Sequence, residues 1–294
     1  FNIFNIDSGG NLSISGVSVS GAQTTGNGGA FNNQGTLNIN NSTISNNTTT
    51  IANAQGNGGG GIFSNGVLTV NNSTISGNTA PTGNGGGIHS FQGIVNVFNS
   101  TLSGNTALYG GGIYLGRSSN GTISNSTISG NSSTSYGAGG IYLYGGSTVT
   151  VINSTISGNK GVNAGGISNS GATSSAITCT LNIANTIIAN STNLLGTTAI
   201  DDYTGFTYGN PSNFGAVSLI SPATASSNLV TQSGLSAWAT TVTSAQLNLG
   251  PLQDNGGPTF TMALRAGSVA IGAGNSTISN ASPVSGKDQR GINR

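Results

Sequence analysis

The amino-acid sequence predicts an all-β fold: a right-handed, three-sided parallel β-helix of about seven coils, followed by an irregular C-terminal capping region. Three observations predict it. A seven-residue motif recurs along the chain, a Gly-Gly pair keeps the same period, and a short run of alternating apolar and polar residues lies between them. Each period therefore holds three short strands. They can close only by winding, so that each strand lies parallel to its equivalent in the next coil.

The seven-residue motif is clearest as NSTISGN, at residues 72–78, 125–131 and 153–159. Variants stand at residues 99–105 (NSTLSGN) and 41–47 (NSTISNN). The central apolar residue of each copy recurs every 25 to 32 positions and is predicted to point inward. The members of this column are Val19, Ile44, Ile75, Leu102, Ile128, Ile156 and Ile188.

The other two elements keep the same period. The Gly-Gly pair precedes Ile62, Ile88 and four equivalent apolar residues, beginning with Ala30. The alternating run, as in residues 37–39 and 68–70, sends apolar side chains inward and polar ones outward. The repeats predict a helical domain over residues 1–195. Residues 196–294 lack the motif and hold most of the prolines, and we expect them to pack on the helix as a cap or lateral strand.

Charged residues are scarce. The 294 residues include six Lys or Arg and five Asp, with no Glu, and the formal net charge is +1. A nearly neutral chain does not attract nucleic acid or anionic lipid, and no apolar run is long enough to cross a bilayer. We therefore expect no nucleic-acid partner, no membrane insertion, no cofactor and no metal site.

The first Asn of each motif falls at an equivalent place in every coil. Stacked identical amides can hydrogen-bond from coil to coil, as in cross-β assemblies. We interpret these residues as a structural ladder, and the alternative is that the Asn-Ser-Thr triplets are glycosylation acceptors. The predicted ladder comprises Asn72, Asn99, Asn125 and Asn153.

A ring follows the apolar residue after the Gly-Gly pair in several coils. If that apolar residue points inward, the ring points outward, where stacked aromatic rings could hold sugars. The alternative is that the rings stack on one another or under a corner loop and only stabilise the rod. This speculative glycan-binding column comprises Phe31, Phe63, His89, Tyr114 and Tyr142.

The repeats and the tail together carry a family resemblance. The tail segments are LGPLQDNGGPT at residues 249–259, ALRAGSVAIGAGN at 263–275 and DQRG at 288–291. With them, the chain resembles the choice-of-anchor Q group of bacterial β-helix proteins, which are related to pectate lyase-like and polymorphic outer-membrane repeat proteins. The resemblance implies an extracellular or cell-surface protein, and it supplies architecture more than activity.

Enzymatic activity was weighed because some parallel β-helices degrade polysaccharides. Lyases of that kind need an acidic cluster for Ca²⁺, and glycosidases need paired carboxylates. The acidic residues lie outside the helical stretch between Asp7 and Asp201, and the adjacent pair Asp201 and Asp202 is interpreted as a solvated loop. Asp288 and Arg290 are expected to lock the tail. We therefore predict no catalytic residues and a protein that is not an enzyme.

The flat rank of Thr and Ser beside each motif Ile, such as Thr101 and Thr127, raises ice binding as a minor alternative.

The N-terminal coil is predicted to lack a cap, and the FNIFNI start is itself strand-like. An open coil presents unpaired backbone and invites another chain. The sequence thus predicts a structural protein that self-associates, head to tail or by strand donation, into a filament or surface layer. The alternative is a monomeric adhesin module that binds glycans. The speculative contact residues are Phe1, Ile3, Phe4 and Ile6.

Overall fold

The computed structural model describes residues 2–51, 57–135, 137–171, 179–194, 200–207, 218–219, 227–233 and 239–294. Seven successive sets of four strands wind into a solenoid, and equivalent strands of successive coils pair in parallel. Three sheets form the long sides, as the three predicted strands per coil require. A fourth ladder of mostly two-residue strands, which the sequence did not predict, lies between the third side and the first.

The strands are numbered in chain order. Sheet A comprises β1 (Phe4–Ile6), β5 (Phe31–Asn33), β9 (Ile62–Ser64), β13 (Ile88–Phe91), β17 (Ile113–Gly116), β21 (Ile141–Tyr144), β25 (Ile167–Gly171) and β29 (Tyr203–Thr207). Sheet B comprises β2 (Asn11–Ser15), β6 (Thr36–Asn40), β10 (Val67–Asn71), β14 (Ile94–Phe98), β18 (Asn120–Ser124), β22 (Thr148–Ile152), β26 (Thr180–Ala184) and β30 (Ser218–Leu219).

Sheet C comprises β3 (Ser18–Ser20), β7 (Thr43–Ser45), β11 (Thr74–Ser76), β15 (Thr101–Ser103), β19 (Thr127–Ser129), β23 (Thr155–Ser157), β27 (Ile187–Ala189), β31 (Leu229–Val230) and β32 (Thr240–Thr241). Sheet D comprises β4 (Gln23–Thr24), β8 (Thr48–Thr49), β12 (Thr79–Asn84), β16 (Thr106–Tyr109), β20 (Ser132–Ser133), β24 (Lys160–Gly161) and β28 (Thr192–Asn193).

The core is a stack of aliphatic columns, one or two from each long side. In sheet C the motif residues pair in register, so that Ile44 lies beside Ile75 and Ile75 beside Leu102. Each of these side chains is fully buried. Leu68 and Val70 of sheet B, together with their equivalents, contribute two further columns. The period-two alternation therefore predicted correctly which face of each strand lies inside.

The Gly-Gly pair lies where consecutive coils approach most closely. A Cβ atom on Gly86 would lie 2.6 Å from the backbone nitrogen of Thr106 and from the carbonyl oxygen of Gly111. Real Cβ atoms do not approach backbone so closely, so any side chain here would push two coils apart. This contact is the physical reason for the Gly-Gly period.

The solenoid extends past the predicted boundary at residue 195. Strands β29, β30 and β31 continue sheets A, B and C, although their sequences lack the NSTISGN motif. The remaining residues form the tail, which contains α1 (Ser244–Leu247), the antiparallel hairpin of β33 (Leu249–Gln253) and β34 (Thr261–Leu264), and α2 (Ser276–Asn280). No helix in the described part of the chain is long and apolar enough to cross a membrane.

Candidate functional site

The Asn ladder is real, but it lies at the last Asn of the motif and not at the first. The side-chain Nδ2 of Asn105 donates to Oδ1 of Asn131 in the next coil at 2.9 Å and to the backbone oxygen of Ile75 at 3.0 Å. Its own Oδ1 accepts from both the backbone nitrogen and Nδ2 of Asn78. The same fully buried pattern links Asn47, Asn78, Asn105, Asn131 and Asn159.

The predicted ladder residues have a different role. Asn72, Asn99, Asn125 and Asn153 all adopt positive φ, between 47° and 51°. This left-handed conformation is tolerated best by Gly and Asn. Their side chains do not form a continuous ladder, since only Asn125 and Asn99 among these four are linked, at 3.3 Å. The correction has a simple cause: both Asn positions have the same period, and only the last one turns its amide into the rod.

The aromatic column also needs correction. Phe31 pairs with Ile62, not with Phe63, because Ala30 takes the place of the second Gly in that coil. The Phe31 ring is therefore inside the core, stacked on Phe4 with the ring centroids 4.9 Å apart. Phe63, His89, Tyr114 and Tyr142 do align in one row of sheet A.

This row is buried and not exposed as the glycan-binding interpretation required. His89 packs edge-on against Phe63 and Tyr114, with centroid distances of 5.1 and 4.8 Å, and its side chain is fully buried. Tyr109, which approaches from sheet D, stacks on Tyr142 at 6.0 Å. The rings thus cover one another, and the outward direction of a side chain did not guarantee contact with solvent.

His89 has no hydrogen-bond partner for either ring nitrogen within the described chain. Burial lowers the pKa of His89 to about 3, against a smaller opposing effect of the Asn57 backbone. The imidazole is therefore neutral and has no acid or base partner in contact.

The carboxylates do not form an acidic cluster among the described residues. Asp202 was interpreted as part of a solvated loop, but it is fully buried. Its Oδ1 accepts from the Ser191 backbone, and its Oδ2 accepts from the backbone and hydroxyl of Thr231 and from the Gln232 backbone, at 2.6 to 3.0 Å. Burial raises the pKa of Asp202, and these hydrogen bonds oppose the rise. Cys179 is also buried, which raises the pKa of its thiol.

The N-terminal coil has an open edge. Strands β1 to β4 are each the terminal strand of their sheet in the described part of the chain. Ile3 is 46% exposed, and Phe4 packs against the core while only half-buried. Ile6 differs from the prediction because its side chain is buried in the core. Phe1 lies outside the described residues.

The tail folds back along the outer face of sheet C. Asn275 and Asn185 exchange hydrogen bonds at 2.8 and 2.9 Å, and further along the rod Gln289 contacts Thr101 and Thr127. The predicted Asp288–Arg290 ion pair is present at 2.7 Å. The tail buries Thr101 and Thr127 almost completely, so the hydroxyl rank is not the open surface that ice binding would need.

A cleft of about 790 Å³ lies between this tail and sheet C. Sheet C contributes outward polar side chains and Ile187, and the tail contributes β34, residues 270–274 and residues 288–290. Arg294 also lines the cleft, where burial lowers its pKa and the nearby Asp288 counteracts this. The sequence analysis did not predict the cleft, because nothing periodic in the tail indicates how it docks.

These features define a parallel β-helix in which stacked amides take the place of ion pairs and a non-repetitive tail covers one side. The chain belongs to the right-handed beta helix region family, whose model matches residues 2–192. No curated protein and no solved structure is significantly similar to it.

Proposed function

We propose that this protein is a non-catalytic structural β-helix that works outside the cell and assembles end to end. The observation that carries the proposal is the open coil formed by β1 to β4. Unpaired strand edges are templates for pairing with another chain, and this edge carries few charges that would repel a partner. The half-buried ring of Phe4 and the exposed Ile3 would gain cover from a second copy.

Three further points support this proposal. The acidic groups with described partners are used in structure, as Asp202 and Asp288 illustrate. The single histidine is buried in an aromatic row. The tail segments at residues 249–259, 263–275 and 288–291 resemble those of choice-of-anchor Q surface proteins, which favours an extracellular or cell-surface location.

The test is the assembly state of the chain at rising concentration, measured by sedimentation velocity and electron microscopy. We expect rods that grow in steps of one subunit length. Ile3→Lys should prevent growth by adding charge at the open edge, whereas Ile94→Lys is a matched control on sheet B with a similar exposure of 44%. Single copies at every concentration, or equal losses in the two variants, would refute the proposal.

A second candidate function is glycan binding on sheet A, at a place other than the buried row. Phe91 and Tyr144 are half-buried rings on its outer face, and the Arg117 guanidinium lies 5.3 Å from the centroid of Phe91. Rings with one accessible face can stack on sugars. Calorimetric titration with neutral oligosaccharides checks this, and Tyr144→Ala should weaken binding while Phe98→Ala on sheet B should not.

A further inference from the structure

The cleft beneath the tail has the size and the mixed lining of a ligand site. Its volume of about 790 Å³ lies within the range of roughly 300 to 1,000 Å³ that is usual for ligand pockets. Its floor is the outer face of sheet C, where Thr155, Asn185 and Ile187 come from successive strands about 4.8 Å apart. A ligand lying along the rod would meet these groups in turn.

One wall of the cleft is the edge of a strand. All four consecutive residues of β34 line it. A strand that presented a face would contribute only every second residue, so β34 presents its edge. In the described part of the chain β34 pairs with β33 alone, which leaves its other edge open to an added strand.

The charges in the cleft favour an anion. Two guanidinium groups, Arg290 and Arg294, and one carboxylate, Asp288, line it, which leaves one positive charge in excess. Arg290 is held by Asp288 and by the Asn255 carbonyl. Arg294 donates from Nε to the Lys287 carbonyl at 3.0 Å and from one terminal nitrogen to Asn125, so some of its five N–H groups have no partner in the described chain.

A buried acceptor in the cleft also awaits a donor. Oδ1 of Asn153 has no hydrogen-bond partner among the described residues, although the side chain is only 9% exposed and its Nδ2 donates to Ser279. Leaving such an atom unsatisfied costs about 1 to 3 kcal/mol. A ligand N–H or O–H at this point would remove that cost.

The remaining lining decides between a peptide and a sugar. Leu264, Ile271 and Ile292 are 37%, 57% and 52% exposed and line the cleft with aliphatic surface. Sugars are held chiefly by aromatic rings, and no aromatic residue is among the described lining residues. Aliphatic side chains beside an open strand edge suit an extended peptide.

We propose that the cleft binds an extended peptide of a partner protein, which adds a strand to β34, places aliphatic side chains against Ile187 and Ile271, and directs a carboxylate to Arg294. This proposal is independent of end-to-end assembly, which uses the opposite, N-terminal coil.

The probe is a fluorescein-labelled hexapeptide, Val-Thr-Val-Thr-Val-Asp, titrated with the whole chain and followed by fluorescence anisotropy. We expect saturable binding, and about tenfold weaker binding of the peptide that carries Asn and a C-terminal amide in place of the two carboxylates. Arg294→Gln should remove this discrimination. The matched control is Arg265→Gln, which makes the same charge change outside the cleft.

Leu264→Glu should reduce binding at least about tenfold, because it adds a carboxylate beside the strand edge. Thermal unfolding of each variant verifies that the solenoid is intact. The proposal is overturned if no peptide binds up to about 1 mM, if Arg265→Gln and Arg294→Gln act alike, or if hexagalacturonate binds at the cleft and the hexapeptide does not.

Discussion

At the scale of single residues, the interior of the rod accepts polar groups only when neighbours satisfy them, and His89 departs from this rule. Its ring replaces the phenyl ring of Phe63 in the same row, so the shape is matched while the two nitrogens are not. A neutral imidazole is tolerated here because its desolvation cost is modest. An imidazolium would not be.

His89 should therefore make stability fall in acid. Its folded pKa of about 3 lies below the unfolded value near 6.5, so the unfolded state binds the proton first. The stability is complete above about pH 6.5 and is lost as the pH falls toward 3. Between pH 7 and 4 the native protein should lose about 3 kcal/mol more than His89→Phe.

Urea unfolding of both proteins across this pH range measures the difference. Parallel curves for the two proteins would show that His89 is not the group responsible.

The Asn ladder gives a second prediction at this scale. Asn105→Ala removes the acceptor of two hydrogen bonds from Asn78 and the donor to Ile75, all of them buried. We expect a loss of about 3 kcal/mol in the free energy of unfolding. Asn72→Gly is the control, because Gly tolerates its φ of 48°, and it should cost less than about 1 kcal/mol. Equal costs would return the ladder to the first Asn.

At the scale of elements, the strands were predictable and their partners outside the repeat were not. The Ile of each motif was placed inside correctly, because alternation has only two outcomes. The row that includes His89 was predicted to be exposed, since alternation gives direction and says nothing about what covers a side chain. Phe31 was misplaced because a single Gly-to-Ala change at residue 30 hides the true register.

The tail is the element for which the sequence is least informative. Its attachment rests on individual polar contacts with no period, of which those of Gln289 are the densest. Nε2 of Gln289 lies within 2.9 to 3.3 Å of oxygens on Ser100, Thr101, Thr259 and Phe260, and its Oε1 accepts from Thr127. This single side chain thus joins the hairpin to sheet C.

Gln289→Ala should release the tail without unfolding the rod. Hydrogen exchange of residues 255–294 should rise about tenfold, since each lost buried hydrogen bond is worth about 1 kcal/mol, while sheets A and B stay protected. Gln253→Ala is the control, because this exposed side chain contacts only Asn255 by a side-chain hydrogen bond. Uniform exchange throughout the chain would mean that the tail and the solenoid unfold together.

At the scale of the whole molecule, stability depends on neutral groups. One ion pair, Asp288–Arg290, is found in the described chain, and it is partly exposed. Exposed pairs contribute at most about 1 kcal/mol. Raising the salt concentration from about 0.05 to 0.5 M should therefore change the free energy of unfolding by less than about 1 kcal/mol. Denaturant titrations at both ionic strengths measure this, and a larger loss would reveal ionic contacts that sustain the rod.

The ladder that replaces those ionic contacts also has a direction. Every amide from Asn47 to Asn131 donates toward the next coil and accepts from the preceding one, so their dipoles add along the axis. At the far end the Ser191 N–H points at the carboxylate of Asp202, as an anion sits at the start of an α-helix. The rod is electrically polar although almost uncharged. Its two ends are chemically unlike, so copies that stack on one another would all point the same way, and a chain of them would grow without closing.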